Sequence, residues 1–169
     1  MYTVVLTKKL PFDGLEPLLR HRSIALRGGK NTYSLSPTAL KKHVYGAHAI
    51  LSELTDHIDG AVMDAAGPQL RIIANYAVGL DNIDLAAAKK RGITVTNTPN
   101  GVSRAVAEHA WVLALACAKR VVEADAFVRK GKYKEWTPET MLGMGWSGKK
   151  LGVVGFGRIG QEIAAIGGG

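Results

Sequence analysis

The sequence predicts an α/β fold with a doubly wound parallel sheet, on three observations. Short apolar, β-branched runs recur through the first hundred residues, and helix-like segments separate them. Alternation of this kind is typical of βαβ units, whose strands lie parallel in one sheet. The 169 residues are 47% hydrophobic and 21% charged, which is an ordinary composition for a chain that buries a core.

Five runs are predicted to be strands: residues 2–6, 23–26, 47–51, 70–74 and 93–96. Helix signals stand between them. Ser36 followed by Pro37 is typical of an N-cap and a first helical residue, and Asp84 precedes a helical run that stops at Gly92. One sheet layer is therefore expected from residue 1 to about 100.

A single long helix is expected next, from residue 103 to about 130. At 1.5 Å per residue it would be on the order of 40 Å long, more than one small sheet needs. Its middle is apolar on nearly every side, which favours burial between two domains or two subunits. Cys117 lies in this apolar run, and we interpret it as a small buried side chain rather than a catalytic thiol.

Charge and composition exclude several classes of protein. The longest apolar run, residues 110–118, is too short to span a bilayer, and the first residues do not resemble a secretory signal. A single cysteine excludes an intrachain disulfide and favours a reducing compartment, so a cytoplasmic protein is expected.

The net charge of +8 and the pI near 9.7 permit nucleic-acid binding without requiring it. The densest basic patch combines Arg129, Lys130, Lys132 and Lys134 with Tyr133 and Trp136. We interpret this patch as a solvated helix end, because cations are favoured at a helix C-terminus. No nucleic-acid partner is predicted.

Residues 151–166 carry the motif with the clearest chemistry. They read LGVVGFGRIGQEIAAI, a predicted strand at 151–154 followed by Gly155, Gly157 and Gly160 in G-x-G-x-x-G spacing and then a helix. Such glycines permit a tight turn, close approach of a pyrophosphate and close helix–strand packing. The helix N-terminus then faces the phosphate charge. Three glycines alone could form a simple turn, but the flanking strand and helix favour a dinucleotide site.

A residue that binds the adenosine ribose is expected about 20 residues after the motif. Only nine residues follow Gly160 in this sequence, so that position lies after residue 169. The sequence thus predicts the first strand and part of the first helix of a Rossmann domain, and tight dinucleotide binding by this chain alone is not expected.

Several longer motifs occur in a distinctive order. They are ANYAVGLDNIDLAAAKKRGITVTNTPNGVSRAVAEHAW, then FVRKGKY, then LG-x-x-x-SGKKLGVVGFGRIGQ, with a looser match at ILSELTDHID. In these motifs the chain resembles the D-isomer-specific 2-hydroxyacid dehydrogenases, and within them it is most similar to glyoxylate and hydroxypyruvate reductases.

The resemblance implies three regions. Residues 1–100 would form a flavodoxin-like substrate domain, residues 101–130 a connecting helix that also makes a homodimer, and residues 131–169 a loop and the start of an NAD(P)-binding Rossmann domain. The implied activity is reduction of a small 2-oxo acid, glyoxylate or hydroxypyruvate, to the 2-hydroxy acid, with NADH or NADPH as the donor.

The resemblance also implies roles for individual residues. Leu51 and Ser52 would line the substrate pocket, and Val78 and Gly79 would offer backbone N–H groups to the substrate carboxylate. Val106 would lie near the nicotinamide end of NAD or NADP. The residues implied around the pyrophosphate are Gly155, Phe156, Gly157, Arg158, Ile159 and Gly160.

From the residues alone, YAVGLDNID is also compatible with a simple strand-to-helix turn in which Gly79 adopts a special backbone angle. Leu80 stands where many relatives carry an aromatic residue, so the choice between 2-oxo acids stays open.

Catalysis in the family uses a His paired with a Glu, and an Arg, and none of the three has a counterpart in this sequence. Glu108 and His109 are no substitute, because adjacent helix residues point about 100° apart. The other histidines have no metal-ligand spacing, and no metal site is predicted: His21, His43, His48 and His57.

The chain is therefore expected to be a catalytically incomplete N-terminal portion of such an enzyme. The alternative is a non-enzymatic relative that dimerises through residues 103–130 or binds a small acid.

Overall fold

Five parallel strands form one sheet in the computed structural model, which describes residues 1–10 and 14–168. In chain order they are β1 (Tyr2–Leu6), β2 (Ile24–Gly28), β3 (Ala49–Glu53), β4 (Ile72–Tyr76) and β5 (Thr94–Thr96). The spatial order is β2-β1-β3-β4-β5, and each neighbouring pair is parallel. This is the flavodoxin-like order, whose topological switch point lies between β1 and β3. The predicted α/β class is confirmed.

The strands after β1 begin one or two residues later than their apolar runs predict. Ala47, Leu70 and Ile93 are buried, yet their backbone N–H groups donate to Val44, Gly67 and Ala88 in the preceding helix or turn. These residues are hydrophobic because they lie in the core. Each strand nevertheless starts after them, because their backbone N–H groups are bonded within the turn that precedes the strand.

Four helices connect the strands: α1 (Glu16–Leu19), α2 (Pro37–Val44), α3 (Gly60–Ala66) and α4 (Leu85–Lys90). The predicted starts of α2 and α4 are confirmed. Ser36 accepts a hydrogen bond from the N–H of Ala39 at 3.3 Å, and Asp84 accepts one from Ala87 at 2.8 Å. Asp59 caps α3 in the same way, at 2.8 Å from the N–H of Val62.

The core lies on the sheet face that α2, α3 and α4 cover. Val5, Ile50 and Ile73 stand side by side in the register of β1, β3 and β4, and all three are fully buried. The helices contribute Leu40, Val44, Val62, Met63, Ala66 and Ala88 to the same cluster. Alternate strand residues point to opposite faces, so this register decides which residues of β3 and β4 reach the core.

The chain divides into two compact units, residues 1–101 and residues 102–169, which we name unit 1 and unit 2. Unit 1 holds the sheet. Unit 2 holds α5 (Ser103–Ala118), α6 (Val121–Arg129) and α7 (Arg158–Gly168). In unit 2 the Trp111 indole N–H donates to the Ile163 carbonyl at 3.0 Å and joins α5 to α7. No helix in the described ranges is long and apolar enough to cross a membrane.

The prediction of one helix from 103 to 130 is wrong, because the helix breaks after Ala118. Arg120 adopts a left-handed conformation with φ of 55°. The Ala118 carbonyl accepts a hydrogen bond from the N–H of Met144, at 2.8 Å, instead of continuing the helix. A Cβ at Gly143 would lie 2.6 Å from that carbonyl oxygen, so only glycine allows this close approach. A contact between distant segments ends the helix.

The predicted strand at 151–154 is also wrong. Those residues adopt neither helix nor strand, and the side chains of Leu151 and Val154 are exposed. A β-strand exists only when its backbone groups bond to a neighbouring strand, and the described part of unit 2 contains no strand to pair with.

The predicted burial of Cys117 is wrong as well. Its thiol is exposed, and so is Leu113, four residues earlier on the same face of α5. Val112 and Leu115 are exposed too. These side chains of α5 are apolar, as the prediction of burial requires, but no described element packs against them.

Candidate functional site

The loop that follows β4 lies at the carboxyl edge of the sheet in unit 1, and three successive carbonyls of this loop accept hydrogen bonds. Ala77 accepts from the N–H of Thr98 at 2.9 Å. Val78 accepts from the Asn97 side-chain amide at 2.8 Å, and Gly79 accepts from the Asn75 side-chain amide at 3.0 Å. The path of the loop is therefore set by groups from β4 and from the segment after β5.

No described residue accepts a hydrogen bond from the N–H of Val78 or Gly79. Gly79 is exposed and Val78 is half-buried, so both can be reached by a ligand. The φ of Gly79 is not in the left-handed region, and a Cβ there would touch only the Asp81 carboxylate, at 3.4 Å. The special backbone angle considered for Gly79 is thus not observed, and nothing in the local backbone requires glycine.

A buried polar network supports this loop from below. Ser52 is fully buried, and its hydroxyl donates to the Asn75 Oδ1 at 3.0 Å. The Asn75 amide also donates to the Asn82 Oδ1 at 3.0 Å, and the Asn82 amide donates to the carbonyls of Glu53 and Asp56 at 3.0 and 2.9 Å. Buried amides and hydroxyls need such partners, so the network locks the end of β3 to the loop after β4.

The two predicted pocket residues on β3 differ in their surroundings. Leu51 and Ser52 point to opposite faces of the sheet, because they are adjacent on one strand. Leu51 is half-buried. The Ser52 hydroxyl is directed into the network, so its described role is to hold Asn75 and, through it, the Gly79 carbonyl.

A second polar cluster lies at the switch point, where β1 and β3 end. Lys8 is only 7% exposed, and its ammonium lies 3.4 Å from the Glu53 carboxylate and 4.0 Å from that of Asp56. It also bonds to the Thr55 hydroxyl. The Thr7 hydroxyl donates to the other oxygen of Asp56 at 2.5 Å. The charge of Lys8 is thus neutralised inside unit 1.

Sequence reasoning did not single out Asn75, Asn82, Asn97 or Lys8. The polar residues directly after the apolar runs of β1, β3 and β4 were the available signal, because the carboxyl ends of parallel strands meet at one edge. The contact from Asn97 to Val78 spans 19 positions, and no local pattern indicates it.

The glycine motif lies in unit 2 and forms a tight turn into α7. Gly155 has a φ of +89°, and a Cβ at Gly160 would lie 2.2 Å from the Gly155 carbonyl oxygen. A Cβ at Gly157 would meet no atom within 4 Å. The helix begins at Arg158, and Gln161 donates its N–H to Gly157 at 2.9 Å.

This turn fits the pyrophosphate of a dinucleotide. The space beside Gly157 lets a ligand approach the backbone, and α7, eleven residues long, presents the positive end of its dipole there. Phe156 and Ile159 are exposed beside it. The predicted cofactor residues from Gly155 to Gly160 thus come together on one turn.

Val106 and the Glu108–His109 pair lie on α5. Val106 is exposed. Glu108 bonds to Arg104 at 2.9 Å, and this bond, followed by a bond to Glu162, raises the pKa of Arg104. Glu108 is therefore engaged away from His109. Among residues 1–10 and 14–168, no group of three His, Cys, Asp or Glu side chains is arranged to hold a metal ion.

Comparison with known proteins identifies the family. The model of the D-isomer specific 2-hydroxyacid dehydrogenase catalytic domain matches residues 4–156. The chain is 44% identical over 165 residues to a glyoxylate reductase of Thermococcus onnurineus and 46% identical over 162 residues to one of Korarchaeum cryptofilum. Each match covers 95% of this chain and 48% of the relative. The chain thus spans about half the length of the curated relatives it matches.

Solved structures agree with this assignment. The TT0316 protein of Thermus thermophilus superimposes with a TM-score of 0.90 at 42% identity, over 97% of this chain and 52% of that one. A D-lactate dehydrogenase of Aquifex aeolicus, complexed with NAD and lactic acid, gives a TM-score of 0.74 at 27% identity, over 98% of this chain and 47% of that one. The chain belongs to the D-isomer-specific 2-hydroxyacid dehydrogenase family.

Proposed function

We propose that this chain supplies the substrate domain and the first part of the coenzyme domain of an oxidoreductase that reduces glyoxylate or hydroxypyruvate with NADH or NADPH. The observation that carries the proposal is the loop after β4. The carbonyls of Ala77, Val78 and Gly79 are engaged, whereas the N–H groups of Val78 and Gly79 have no acceptor within the described ranges. The similarity to glyoxylate reductases supports the substrate class.

The substrate carboxylate accepts hydrogen bonds from the N–H groups of Val78 and Gly79. A small 2-oxo acid offers little besides its carboxylate and carbonyl oxygens, so successive backbone N–H groups are a suitable anion site. Leu51 lines the pocket and helps to exclude water, and Ser52 acts through its bond to Asn75.

The coenzyme is held by the turn in unit 2. The backbone of Gly155, Phe156, Gly157, Arg158, Ile159 and Gly160 surrounds the pyrophosphate, and Val106 lies toward the nicotinamide. NADH or NADPH supplies the hydride when bound. The solved Aquifex relative that contains NAD supports a nicotinamide dinucleotide, and either NAD or NADP is compatible with this turn.

Hydride transfer to a 2-oxo acid also needs a proton donor and a cation that polarises the carbonyl. The Arg, Glu and His that do this in the family have no counterpart among these 169 residues, and Glu108 is already paired with Arg104. We propose that the 169-residue chain alone binds the acid but does not reduce it.

A turnover assay tests this proposal. The purified chain is mixed with NADH or NADPH and glyoxylate, and absorbance at the reduced-cofactor band is followed. The expected rate equals the background rate, while the glyoxylate reductase of Thermococcus onnurineus serves as the active control. Turnover well above background would show that the chain carries its own proton donor and cation.

A second candidate function is a dimerising module without chemistry, and the exposed apolar residues of α5 favour it. Enzyme and dimerising module share the expectation of a homodimer. If added glyoxylate shifts the amide signals of Val78 and Gly79, the result favours the enzyme or an acid-binding relative. If the chain dimerises but binds no acid, the result favours the dimerising module. We place either form in the cytoplasm, on the support of the single unpaired Cys117.

A further inference from the structure

We propose that Asn75 and Asn97 are positioning residues for the carboxylate site, and that the N–H of Leu80 is a third donor beside those of Val78 and Gly79. The proposal rests on the function proposed above and deepens it. It assigns a role to two asparagine side chains that direct the peptide groups of the loop without touching the substrate.

Peptide geometry carries the argument. In a trans peptide the C=O and the following N–H point in opposite directions, and no cis peptide bond occurs in the described chain. Asn97 holds the carbonyl of Val78 at 2.8 Å, so the N–H of Gly79 faces away from Asn97. Asn75 holds the carbonyl of Gly79 at 3.0 Å, so the N–H of Leu80 faces away from Asn75.

The same reasoning applies to the first donor of the loop. The N–H of Thr98 holds the carbonyl of Ala77 at 2.9 Å and turns the N–H of Val78 away from the segment after β5. Each of three consecutive N–H groups is thus directed away from the separate donor that holds the preceding carbonyl. Within the described ranges no residue accepts from the N–H of Leu80 either.

The orientation of Asn75 is itself determined by its neighbours. The side chain is 2% exposed, and its Oδ1 accepts from the Ser52 hydroxyl at 3.0 Å and from the Asn82 amide at 3.3 Å. The amide nitrogen must face the Gly79 carbonyl, because it donates both to that carbonyl and to the Asn82 Oδ1. A flip of this amide would set its oxygen against two acceptors, so the Gly79–Leu80 peptide is held before any ligand arrives.

Leu80 is also anchored from two sides. Its side chain packs against the core of unit 1, and its carbonyl accepts from the N–H of Ile83 at 3.0 Å. These contacts restrain Leu80 on one side, and the bond from Asn75 to the Gly79 carbonyl fixes the peptide that carries the Leu80 N–H on the other. Preset donors bind an anion without the entropy cost of ordering a loop.

Nuclear magnetic resonance of the ¹⁵N-labelled 169-residue chain, titrated with glyoxylate, tests the proposal. In the unmodified chain the amide signals of Val78, Gly79 and Leu80 are expected to shift together with one dissociation constant. Asn97→Ala is expected to weaken binding about five-fold, the effect of one lost hydrogen bond. It should also reduce the ligand-induced shift of the Gly79 amide more than that of Leu80.

Asn75→Ala is expected to give the opposite pattern, because it should reduce the ligand-induced shift of the Leu80 amide more than that of the Gly79 amide. Asn75→Ala removes a buried side chain that bonds to Ser52 and Asn82, and the variant can fail to fold for that reason. Asn97 is only half-buried, so Asn97→Ala then tests the positioning role. Thr94→Ala is the matched control. Thr94 is exposed at the start of β5 and its side chain does not hold the loop, so this variant should bind glyoxylate as the unmodified chain does.

The possible failures are distinguishable. If glyoxylate shifts none of the three amides in the unmodified chain, the proposed function is overturned and this inference with it. If the amide signals of Val78 and Gly79 shift but that of Leu80 does not, the assignment of the Leu80 N–H as a third donor is overturned. If all three shift and Asn97→Ala keeps the affinity and the Gly79 shift, the positioning role is overturned while the proposed function stands.

Discussion

Individual side chains in unit 1 are engaged in hydrogen bonds that cross between elements. Asp64 on α3 accepts two hydrogen bonds from the Arg91 guanidinium after α4, each at 2.8 Å. This pair joins two helices that cover the core. Arg91 also donates to the Ala87 carbonyl at 3.0 Å, which keeps its guanidinium beside the end of α4.

The Asp64–Arg91 pair predicts a pH dependence of stability. The hydrogen bond from Arg91 lowers the pKa of Asp64 below its ordinary value of 3.8. A lowered folded-state pKa contributes stability above the ordinary value and loses it as pH falls through the folded value. Asp64→Asn is therefore expected to lower the urea midpoint at neutral pH and to have little effect once the pH is well below 3.8.

Urea unfolding followed by circular dichroism at both pH values measures this difference. Because the Asp64 carboxylate is largely exposed, the effect is expected to be small and to shrink further at high salt. Asp81→Asn is the control, since Asp81 forms no ion pair among the described residues. An equal effect of Asp64→Asn at both pH values would show that the pair contributes through packing and not through charge.

At the scale of elements, the close approach of Gly160 to Gly155 sets how α7 leaves its turn. Gly160→Ala would place a Cβ 2.2 Å from the Gly155 carbonyl oxygen, and backbone must move to relieve the overlap. The free energy of unfolding of unit 2 is expected to fall by about 1–3 kcal/mol, the range for overpacked sites. Fluorescence of Trp111 and Trp146, both in unit 2, reports it during urea unfolding.

Gly157→Ala provides the matched control three residues earlier. Its Cβ would meet no atom within 4 Å, and its φ is not in the left-handed region, so stability should change little. If the two variants lower the free energy of unfolding equally, the conformation of the turn, and not the contact with Gly155, is the reason that both positions require glycine.

At the scale of the whole molecule, the exposed residues of α5 predict self-association. Leu113→Glu places a charge among the exposed apolar side chains Val112, Leu115 and Cys117. We expect the unmodified chain to be a dimer and this variant a monomer, by size-exclusion chromatography with light scattering. Burial of a charge in an apolar interface is costly, which explains the direction.

Tyr33→Glu is the control for that measurement, because Tyr33 is an exposed aromatic residue in unit 1. It should leave the dimer unchanged. A monomeric unmodified chain, or soluble aggregate without a defined mass, would contradict the role assigned to α5.

Local chemistry made the strands of unit 1 predictable to within one or two residues, and with them the starts of α2 and α4. β1 occupies the predicted residues, and Ser36 and Asp84 cap α2 and α4 as expected. An N-cap involves residues three apart, and the apolar runs that form the strands are continuous in the chain. Both signals are therefore visible without any knowledge of the fold.

The candidate site was predictable only in part. The resemblance implied that Val78 and Gly79 belong to the site, whereas the residues alone favoured a simple strand-to-helix turn. The supporting side chains were not predictable, because Asn97 and Ser52 reach the loop across 19 and 23 positions of the chain, the latter through Asn75. Only the order of the strands brings those positions together.

The sequence by itself determined the α/β class, the family and the glycine turn, since each depends on residues close together or on motifs in order. Tertiary structure alone decided where the long apolar helix ends and which donors hold the carbonyls of Ala77, Val78 and Gly79. The physical reason is the same in both cases. A backbone carbonyl accepts from whichever donor the fold places beside it, and for Ala118, Val78 and Ala77 that donor comes from a distant segment.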